Sequence, residues 1–301
     1  MSAGDVAVAQ WRIAPEHRDA VAGALAAGTR RVQLDVGGPG RGPTLDDAVL
    51  TELRRRGAVV DALAVNRAND LGLHREGRPS SECLDLLLAT IGLARRHGVP
   101  AVHVPSFRAS AIIDAASFTA TAQVLARCAD EGGPDLLVLT ESTLGADDAV
   151  ALVSSAGAPT VRVVADTGNL VDAGHDPATF VATCRDHGVL APAIHVKVPA
   201  GVEPGDVATR TRTILAQVDG HVLLENDYRG RADLLAADVA AARGRDTARR
   251  PAPDPGGADP GGADPGGAGP RGPDLGAPVA RSLDHHRSTL PRTRPTEGAS
   301  R

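Results

Sequence analysis

The chain has 301 residues, of which 42% are hydrophobic, and a formal net charge of −5 at pH 7. No basic cluster stands out from this acidic background, which argues against a nucleic-acid partner. No apolar run reaches the roughly 18 residues of a membrane span and no targeting signal is recognisable, so we expect a cytoplasmic protein with no membrane partner.

Short β-branched runs alternate along the chain with helical patterns rich in Ala, Leu and Arg. Eight such runs are predicted as strands: Val6–Ile13, Val32–Val36, Val59–Val65, Ala101–Pro105, Leu136–Glu141, Val161–Asp166, Ala193–Val198 and His221–Glu225. Strands that alternate with helices indicate a parallel sheet, and eight repeats favour closure into a (β/α)₈ TIM barrel of the α/β class. A doubly wound sheet is the alternative, but no Gly-rich phosphate turn follows the first run.

Amphipathic helices are predicted between these strands, with terminal signals that support several of them. The clearest are Glu82–His97, Phe118–Asp130, Asp147–Ala156, Pro177–His187 and Asp206–Val218. Asp176 precedes Pro177 as a cap residue before a first-turn proline, and Gly98 and Gly188 follow helix ends.

The three cysteines, Cys83, Cys128 and Cys184, fall inside helical patterns without metal-binding spacing, so we expect buried free thiols in a reducing compartment.

The composition changes near residue 243, where Pro, Gly, Arg and Asp take over. The unit Asp-Pro-Gly-Gly-Ala runs three times from Asp254 to Ala268. Such a segment has too little apolar surface to offset the entropy of ordering it. We therefore predict a barrel domain over residues 1–242 and a disordered Pro/Gly-rich tail over residues 243–301.

Four consecutive predicted strands carry an ionisable residue at or near their end: Glu141, Asp166, His195 and Glu225. In a parallel barrel the carboxyl ends of the strands meet at one mouth, where active sites lie. Three carboxylates gathered there would repel one another unless a divalent cation neutralised them. A single strand-end carboxylate is commonly only a helix cap, so the prediction rests on the four together. This oxygen-rich set with one nitrogen suits Mn²⁺, Mg²⁺ or Co²⁺ better than Zn²⁺.

Lys197 is the only lysine among 32 Lys and Arg residues, and it follows His195 by two positions on the same strand face. A compact ammonium is not interchangeable with a guanidinium where an oxyanion must be met in a tight site. We predict that Lys197 is catalytic, stabilising an enediolate, or that it binds a substrate phosphate or carboxylate. A rim position without function is the alternative.

Three of the five aromatic residues lie where predicted strands end: Trp11, Phe107 and Tyr228. Aromatic rings at a barrel mouth can stack on the apolar face of a sugar. His103 lies on the fourth strand, where facing the pocket and a satisfied core role are both open, and Asn169 follows Asp166 closely enough to hydrogen-bond a substrate. The candidate substrate-binding residues are His103, Asn169, Trp11 and Tyr228.

The sequence resembles the xylose isomerase-like TIM barrels, a family of sugar-phosphate isomerases and epimerases that also includes hydroxypyruvate isomerase and inosose dehydratase. The resemblance covers roughly residues 5–235 and is carried by five features: Glu141, the Asp166–Asn169 turn, the His195–Lys197 strand, the following Pro204-Gly205, and Glu225. It implies that Glu141, Asp166, His195 and Glu225 ligate one divalent metal ion. It further implies that the two glutamates form the acid–base pair on opposite faces of the substrate.

The resemblance thus predicts an enzyme of carbohydrate metabolism that moves a proton beside the carbonyl of a sugar or sugar-phosphate through an enediolate. Its partner is expected to be a small, sugar-like substrate, and a homo-oligomer stays open. Asn169 and Val198 depart from the family, which often has His and Asp there, so the general isomerase interpretation is favoured over the ketose 3-epimerase branch.

Other functions on the same fold also compete with this interpretation. A metal-dependent dehydratase (lyase) of a cyclic polyol or keto-acid would use the same residues, and a catalytically inactive barrel scaffold is a third alternative. An apurinic-site endonuclease is disfavoured because such enzymes use several zinc ions and need more histidines near the strand ends.

Overall fold

The computed structural model describes residues 6–197 and 220–243, and in them eight parallel strands close into a barrel. In chain order the barrel strands are β1 Val6–Ala9, β2 Arg31–Asp35, β3 Val59–Ala64, β6 Ala101–Pro105, β7 Leu137–Glu141, β8 Val161–Asp166, β9 Leu190–Val196 and β10 His221–Leu224. Two short strands, β4 His74–Arg75 and β5 Arg78–Pro79, form an antiparallel hairpin apart from the barrel. The predicted (β/α)₈ architecture is confirmed.

Helices follow the strands and cover the barrel. They are α1 His17–Ala26, α2 Asp47–Arg55, α3 Ala68–Leu71, α4 Ser81–Arg96, α5 Ala115–Gly132, α6 Ala146–Ala156, α7 Thr167–Asp172, α8 Pro177–Asp186 and α9 Ala232–Arg243. The apolar faces of the longer helices pack on the outer faces of the strands; α4, for example, contacts β3, β6 and α5. Among the described helices, none combines the length and apolar character required to cross a lipid bilayer.

The first and last strands complete the barrel. Val8 of β1 pairs with Leu224 of β10 on one side and with Val32 of β2 on the other. Closure removes the free sheet edges that an open sheet would present. It also brings the loop after β1 next to the loop after β10, although more than 200 residues separate Trp11 and Glu225 along the chain.

The largest differences between the predicted and the observed strand boundaries lie in β1 and β9, and the other differences are of one residue. The first predicted run continues to Ile13, but β1 ends at Ala9 because Gln10–Arg12 forms a 3₁₀ turn. The Gln10 side-chain amide stabilises this turn by donating to the carbonyls of Ala14 and Pro15 at 2.9 and 3.0 Å. The strand predicted at Ala193 starts at Leu190 instead, and it accommodates Pro192 where its register with β8 is irregular.

The predicted signals at these helix ends and the predicted burial of the three cysteines as free thiols are confirmed. The Asp176 carboxylate accepts the Thr179 amide at 2.9 Å, and Gly98 and Gly188 adopt left-handed φ angles of 56° and 67° after their helices. Cys83, Cys128 and Cys184 are free and buried. The predicted helix Asp206–Val218 lies outside the described residues, and so does the predicted tail 243–301 except for Arg243, which is the last residue of α9.

The barrel depends on the packing of its helices, which a matched pair of isoleucines can test. Ile91 of α4 is fully buried, whereas Ile113 is 81% exposed. Replacing Ile91 with Ala should lower the free energy of unfolding by about 2–5 kcal/mol, because it leaves a cavity in a packed core. Ile113→Ala should change it by less than about 0.5 kcal/mol. Urea denaturation followed by circular dichroism measures both, and equal losses would contradict this placement of the core.

Candidate active site and metal centre

Four neighbouring strands bring the predicted ionisable residues together at the carboxyl end of the barrel. Glu141 and Asp166 are the last residues of β7 and β8, His195 is the penultimate residue of β9, and Glu225 follows β10 directly. The strand register places Asp166 level with His195. All four are buried, with exposed fractions of 3%, 1%, 0% and 8% in chain order.

The imidazole of His195 lies at the centre of this cluster. Its Nδ1 is 3.2 Å from Glu141 Oε2 and 3.5 Å from Glu225 Oε2. Neither contact has hydrogen-bond alignment, and both ring nitrogens, like Asp166 Oδ2, are buried without a hydrogen-bond partner in the described part of the chain. Donor atoms of Asp166, His195 and Glu225 lie within 4.8 Å of one another. The imidazole nitrogens and carboxylate oxygens converge without donating protons to one another. A bound cation would accept their lone pairs.

The two oxygens of the Asp166 carboxylate have different roles. Oδ1 accepts the backbone N–H of Asn169 at 2.8 Å and so caps α7. Oδ2 has no such partner and stays with the buried cluster. The helix thereby fixes the carboxylate orientation that leaves the second oxygen available.

Glu141 is oriented by a chain of hydrogen bonds that ends at Lys197. The Asn169 side-chain amide donates to Glu141 Oε1 at 2.7 Å, and Lys197 Nζ donates to Asn169 Oδ1 at 3.0 Å. The ammonium thereby determines which end of the Asn169 amide faces Glu141. Gly168 makes room for this chain, since a Cβ there would lie 3.1 Å from Lys197 Cβ and Cγ.

Glu225 is held by the turn that follows β1. Its Oε1 accepts the indole N–H of Trp11 at 3.1 Å and lies 3.3 Å from an Arg12 guanidinium nitrogen. Trp11, predicted to bind substrate, here orients a carboxylate of the cluster. Arg12 is not among the residues predicted from the sequence; its position beside Trp11 at a strand end is the one signal for it in the sequence.

The buried carboxylates of this cluster need a compensating positive charge nearby. Burial raises the pKa of Asp166 well above its ordinary value, and the charges of Glu141 and Glu225 raise it further. Burial acts in the same direction on Glu141, but the adjoining imidazoles of His103 and His195 outweigh it and hold that pKa far below its usual range. Burial lowers the pKa of His195, whereas Glu141 and Glu225 raise it to about 10. A divalent cation would meet the same demand without a proton on His195.

The remaining predicted residues occupy three different positions. His103 of β6 lies inside the barrel, with Nε2 2.9 Å from Glu141 Oε2. Phe107 lines an open cleft of about 430 Å³ together with Thr143, Asn169, Asp172 and Ala173. Tyr228 is 2% exposed, and its hydroxyl donates to Asp238 of α9 at 2.9 Å. A role for Tyr228 in substrate binding stays a prediction.

The chain is similar to enzymes that epimerise sugars and related compounds. It is 37% identical over 260 residues to the 2-epi-5-epi-valiolone 7-phosphate 2-epimerase of Actinoplanes sp. strain SE50/110, which covers 79% of this chain and 93% of that protein. No protein-family model matches the sequence.

Two solved structures have the same fold. L-ribulose 3-epimerase matches 80% of this chain and 92% of its own, with a TM-score of 0.56 and 15% identity. A fusion of a xylose isomerase-like TIM barrel with 4-hydroxyphenylpyruvate dioxygenase gives 0.58 at 16% identity over 80% of this chain, which spans 42% of that protein. These structures support the fold, and the 37% identical relative shows the family. The chain therefore belongs to the xylose isomerase-like TIM-barrel family of sugar-phosphate isomerases and epimerases.

Proposed function

We propose that this chain is a metal-dependent epimerase that inverts a carbon beside the carbonyl group of a phosphorylated keto-polyol. The observation that carries the proposal is the buried cluster of Glu141, Asp166, His195 and Glu225. The nitrogen and oxygen atoms in it that could bind a metal approach one another without forming hydrogen bonds to one another. The substrate class comes from the 37% identical relative, whose name describes a phosphorylated ketone and inversion at one carbon.

In this proposal Glu141, Asp166, His195 and Glu225 hold one divalent ion, with Mn²⁺, Mg²⁺ or Co²⁺ as the candidates. When bound, such an ion polarises the substrate carbonyl and hydroxyl and stabilises the enediolate that proton removal creates. The protein contributes the orientation of the carboxylates. Each glutamate has one oxygen held by side-chain donors, and its other oxygen lies 3.2–3.5 Å from His195.

The two glutamates are the proposed acid–base pair. Inversion requires that a proton leave from one face of the carbon and return to the other, so a carboxylate is needed on each side. Glu141 ends β7 and accepts a hydrogen bond from Asn169. Glu225 follows β10 and accepts hydrogen bonds from Trp11 and Arg12. Their supports come from different parts of the barrel, which allows the two carboxylates to be oriented independently.

Lys197 is proposed to act on Glu141 through Asn169. Its ammonium holds the Asn169 carbonyl, so that the amide N–H₂ faces the carboxylate. Lys197 then contacts the residue that holds the proposed base, and this positioning role differs from the predicted direct contact with an enediolate, phosphate or carboxylate. The three buried free thiols agree with a reducing, cytoplasmic location, which we also propose.

Metal content tests the proposed centre. Wild-type protein purified without chelator should carry about one divalent ion per chain, and His195→Ala should lose it, because a metal site that loses a ligand binds far more weakly. His187→Ala, at an exposed position, is the matched control and should keep the ion. Elemental analysis by mass spectrometry gives the stoichiometry. Two or three zinc ions per chain, or an unchanged content in His195→Ala, would contradict the proposed site.

The acid–base pair can be tested with 2-epi-5-epi-valiolone 7-phosphate in D₂O. Wild-type enzyme should invert one carbon and incorporate deuterium there, as NMR would show, without loss of water from the product. Glu141→Gln and Glu225→Gln should each slow inversion by about 10²-fold or more, because each removes one proton-transfer group. Exposed Glu16→Gln serves as the control, and metal content is measured in every variant. A dehydrated product would establish the lyase alternative instead.

The hydrogen bonds that run from Lys197 through Asn169 to Glu141 predict that position 197 requires a lysine. Lys197→Arg should lower kcat by roughly ten- to a hundredfold, because a guanidinium cannot hold the Asn169 amide in the same position and small displacements of a base are costly. The Asn169→Ala, Lys197→Ala double variant should be no worse than Asn169→Ala alone, since both residues act through one contact. Exposed Arg78→Lys is the control. Full activity of Lys197→Arg would refute this role.

A further inference from the structure

We propose that His103 is a fifth ligand of the metal ion, through its Nε2 atom, and that it gives the centre a preference for Co²⁺ or Zn²⁺ over Mg²⁺. The inference rests on the proposed function, because it concerns the same centre. His103 lies outside the set of two glutamates, one aspartate and one histidine that the family resemblance implies. It also differs from the predicted role of His103 in binding substrate.

The position of His103 follows from the register of its strand. It is the third residue of β6 and pairs with Ala64 of β3 and Leu139 of β7, while Pro105 pairs with Glu141. Side chains alternate along a strand, so His103 and Pro105 point to the same face. His103 therefore lies one inward-facing position deeper than the level of Glu141, and it is 2% exposed.

The surroundings of His103 do not satisfy its ring. Nε2 is 2.9 Å from Glu141 Oε2 but is not aligned for a hydrogen bond, and neither ring nitrogen has a hydrogen-bond partner within the described residues. Buried polar atoms are nearly always hydrogen-bonded, so a buried imidazole with two unpartnered nitrogens requires an explanation. A bound metal ion would engage the lone pair of Nε2.

Donor atoms from His103 and the cluster converge on the same space. Donor atoms of His103, Glu141 and His195 lie within 4.8 Å of one another, and so do those of Asp166, His195 and Glu225. The two groups share His195, whose ring centroid is 5.0 Å from that of His103. Because His195 Nδ1 contacts a carboxylate oxygen from each group, a single ion between them accounts for both.

A second imidazole changes the chemistry of the centre. Three carboxylates with one histidine form a set that Mg²⁺ and Mn²⁺ tolerate, whereas two imidazoles favour the later transition metals. Mg²⁺ binds oxygen ligands and water in near-ideal octahedral geometry and gains little from an added nitrogen. His103 should therefore strengthen Co²⁺ and Zn²⁺ binding much more than Mg²⁺ binding.

The test compares ion affinities of full-length apoprotein by calorimetry, using Co²⁺ and Mg²⁺ separately. In His103→Gln the Co²⁺ affinity should fall by about tenfold or more, with a much smaller change for Mg²⁺, and the visible absorption spectrum of the Co²⁺ form should change. The matched control is Asn169→Ala, which disturbs Glu141 without removing a nitrogen ligand, and it should weaken both ions by similar factors.

Several outcomes separate this inference from the proposed function. Equal losses for Co²⁺ and Mg²⁺ in His103→Gln, with an unchanged Co²⁺ spectrum, would show that His103 only positions Glu141 and would overturn the inference alone. Two ions per chain would also overturn it. Failure of the wild type to bind any ion would overturn the proposed function as well. If His103→Gln does not fold, pulsed electron paramagnetic resonance of Mn²⁺-loaded wild type decides, since coupling to two imidazoles is expected and coupling to one would refute it.

Discussion

The burial of three carboxylates at one end of the barrel is the constraint on which the rest of the site depends. A buried charge is strongly unfavourable unless it is paired and hydrogen-bonded. The protein meets this requirement on one side of each carboxylate only. One oxygen of each accepts a hydrogen bond from surrounding groups, namely the Asn169 side chain for Glu141, the Asn169 backbone for Asp166, and Trp11 with Arg12 for Glu225. The other oxygen belongs to the cluster around His195.

This division explains why the supporting residues are as specific as the cluster itself. Asn169 donates through its backbone to Asp166 and through its side chain to Glu141, so one residue orients two carboxylates. Lys197 settles the orientation of that side chain. Without these hydrogen bonds, repulsion between the carboxylates would favour rotamers that move them apart. Here one oxygen of each carboxylate, the outer one, accepts a hydrogen bond that fixes its rotamer. The inner oxygens therefore remain directed at a common point, as electrostatic preorganisation requires.

Much of this arrangement could be predicted from the sequence because it depends on local patterns. β-branched runs between helical segments gave the eight strands, and the polar residue ending each of four apolar runs located Glu141, Asp166, His195 and Glu225. In a parallel barrel the strand ends share one mouth, so proximity followed from topology alone. The Asp166 cap shows that the structural and the metal-binding interpretations of a strand-end aspartate are compatible, since it has two oxygens.

The supporting contacts could not be predicted, because they join residues that are distant in sequence. Nothing local to Arg12 indicates a partner beyond residue 200, and nothing near Lys197 indicates that its ammonium reaches an asparagine instead of a substrate. The early end of β1 has a different, local cause: the Gln10 amide closes a turn with carbonyls four and five residues ahead, in a run whose composition still favours a strand.

The closure of β1 against β10 has a consequence for how the protein is made. Glu225 meets Trp11 across a sequence separation of 214 residues, and the Tyr228 backbone amide donates to the Arg12 carbonyl at 2.8 Å. During synthesis the support for Glu225 therefore emerges from the ribosome first, and Glu225 itself follows after nearly the whole barrel. Contacts of such long range are among the slowest to form. Glu141, Asp166 and His195 lie on the neighbouring strands β7, β8 and β9, whereas the support for Glu225 forms only when β10 docks on β1.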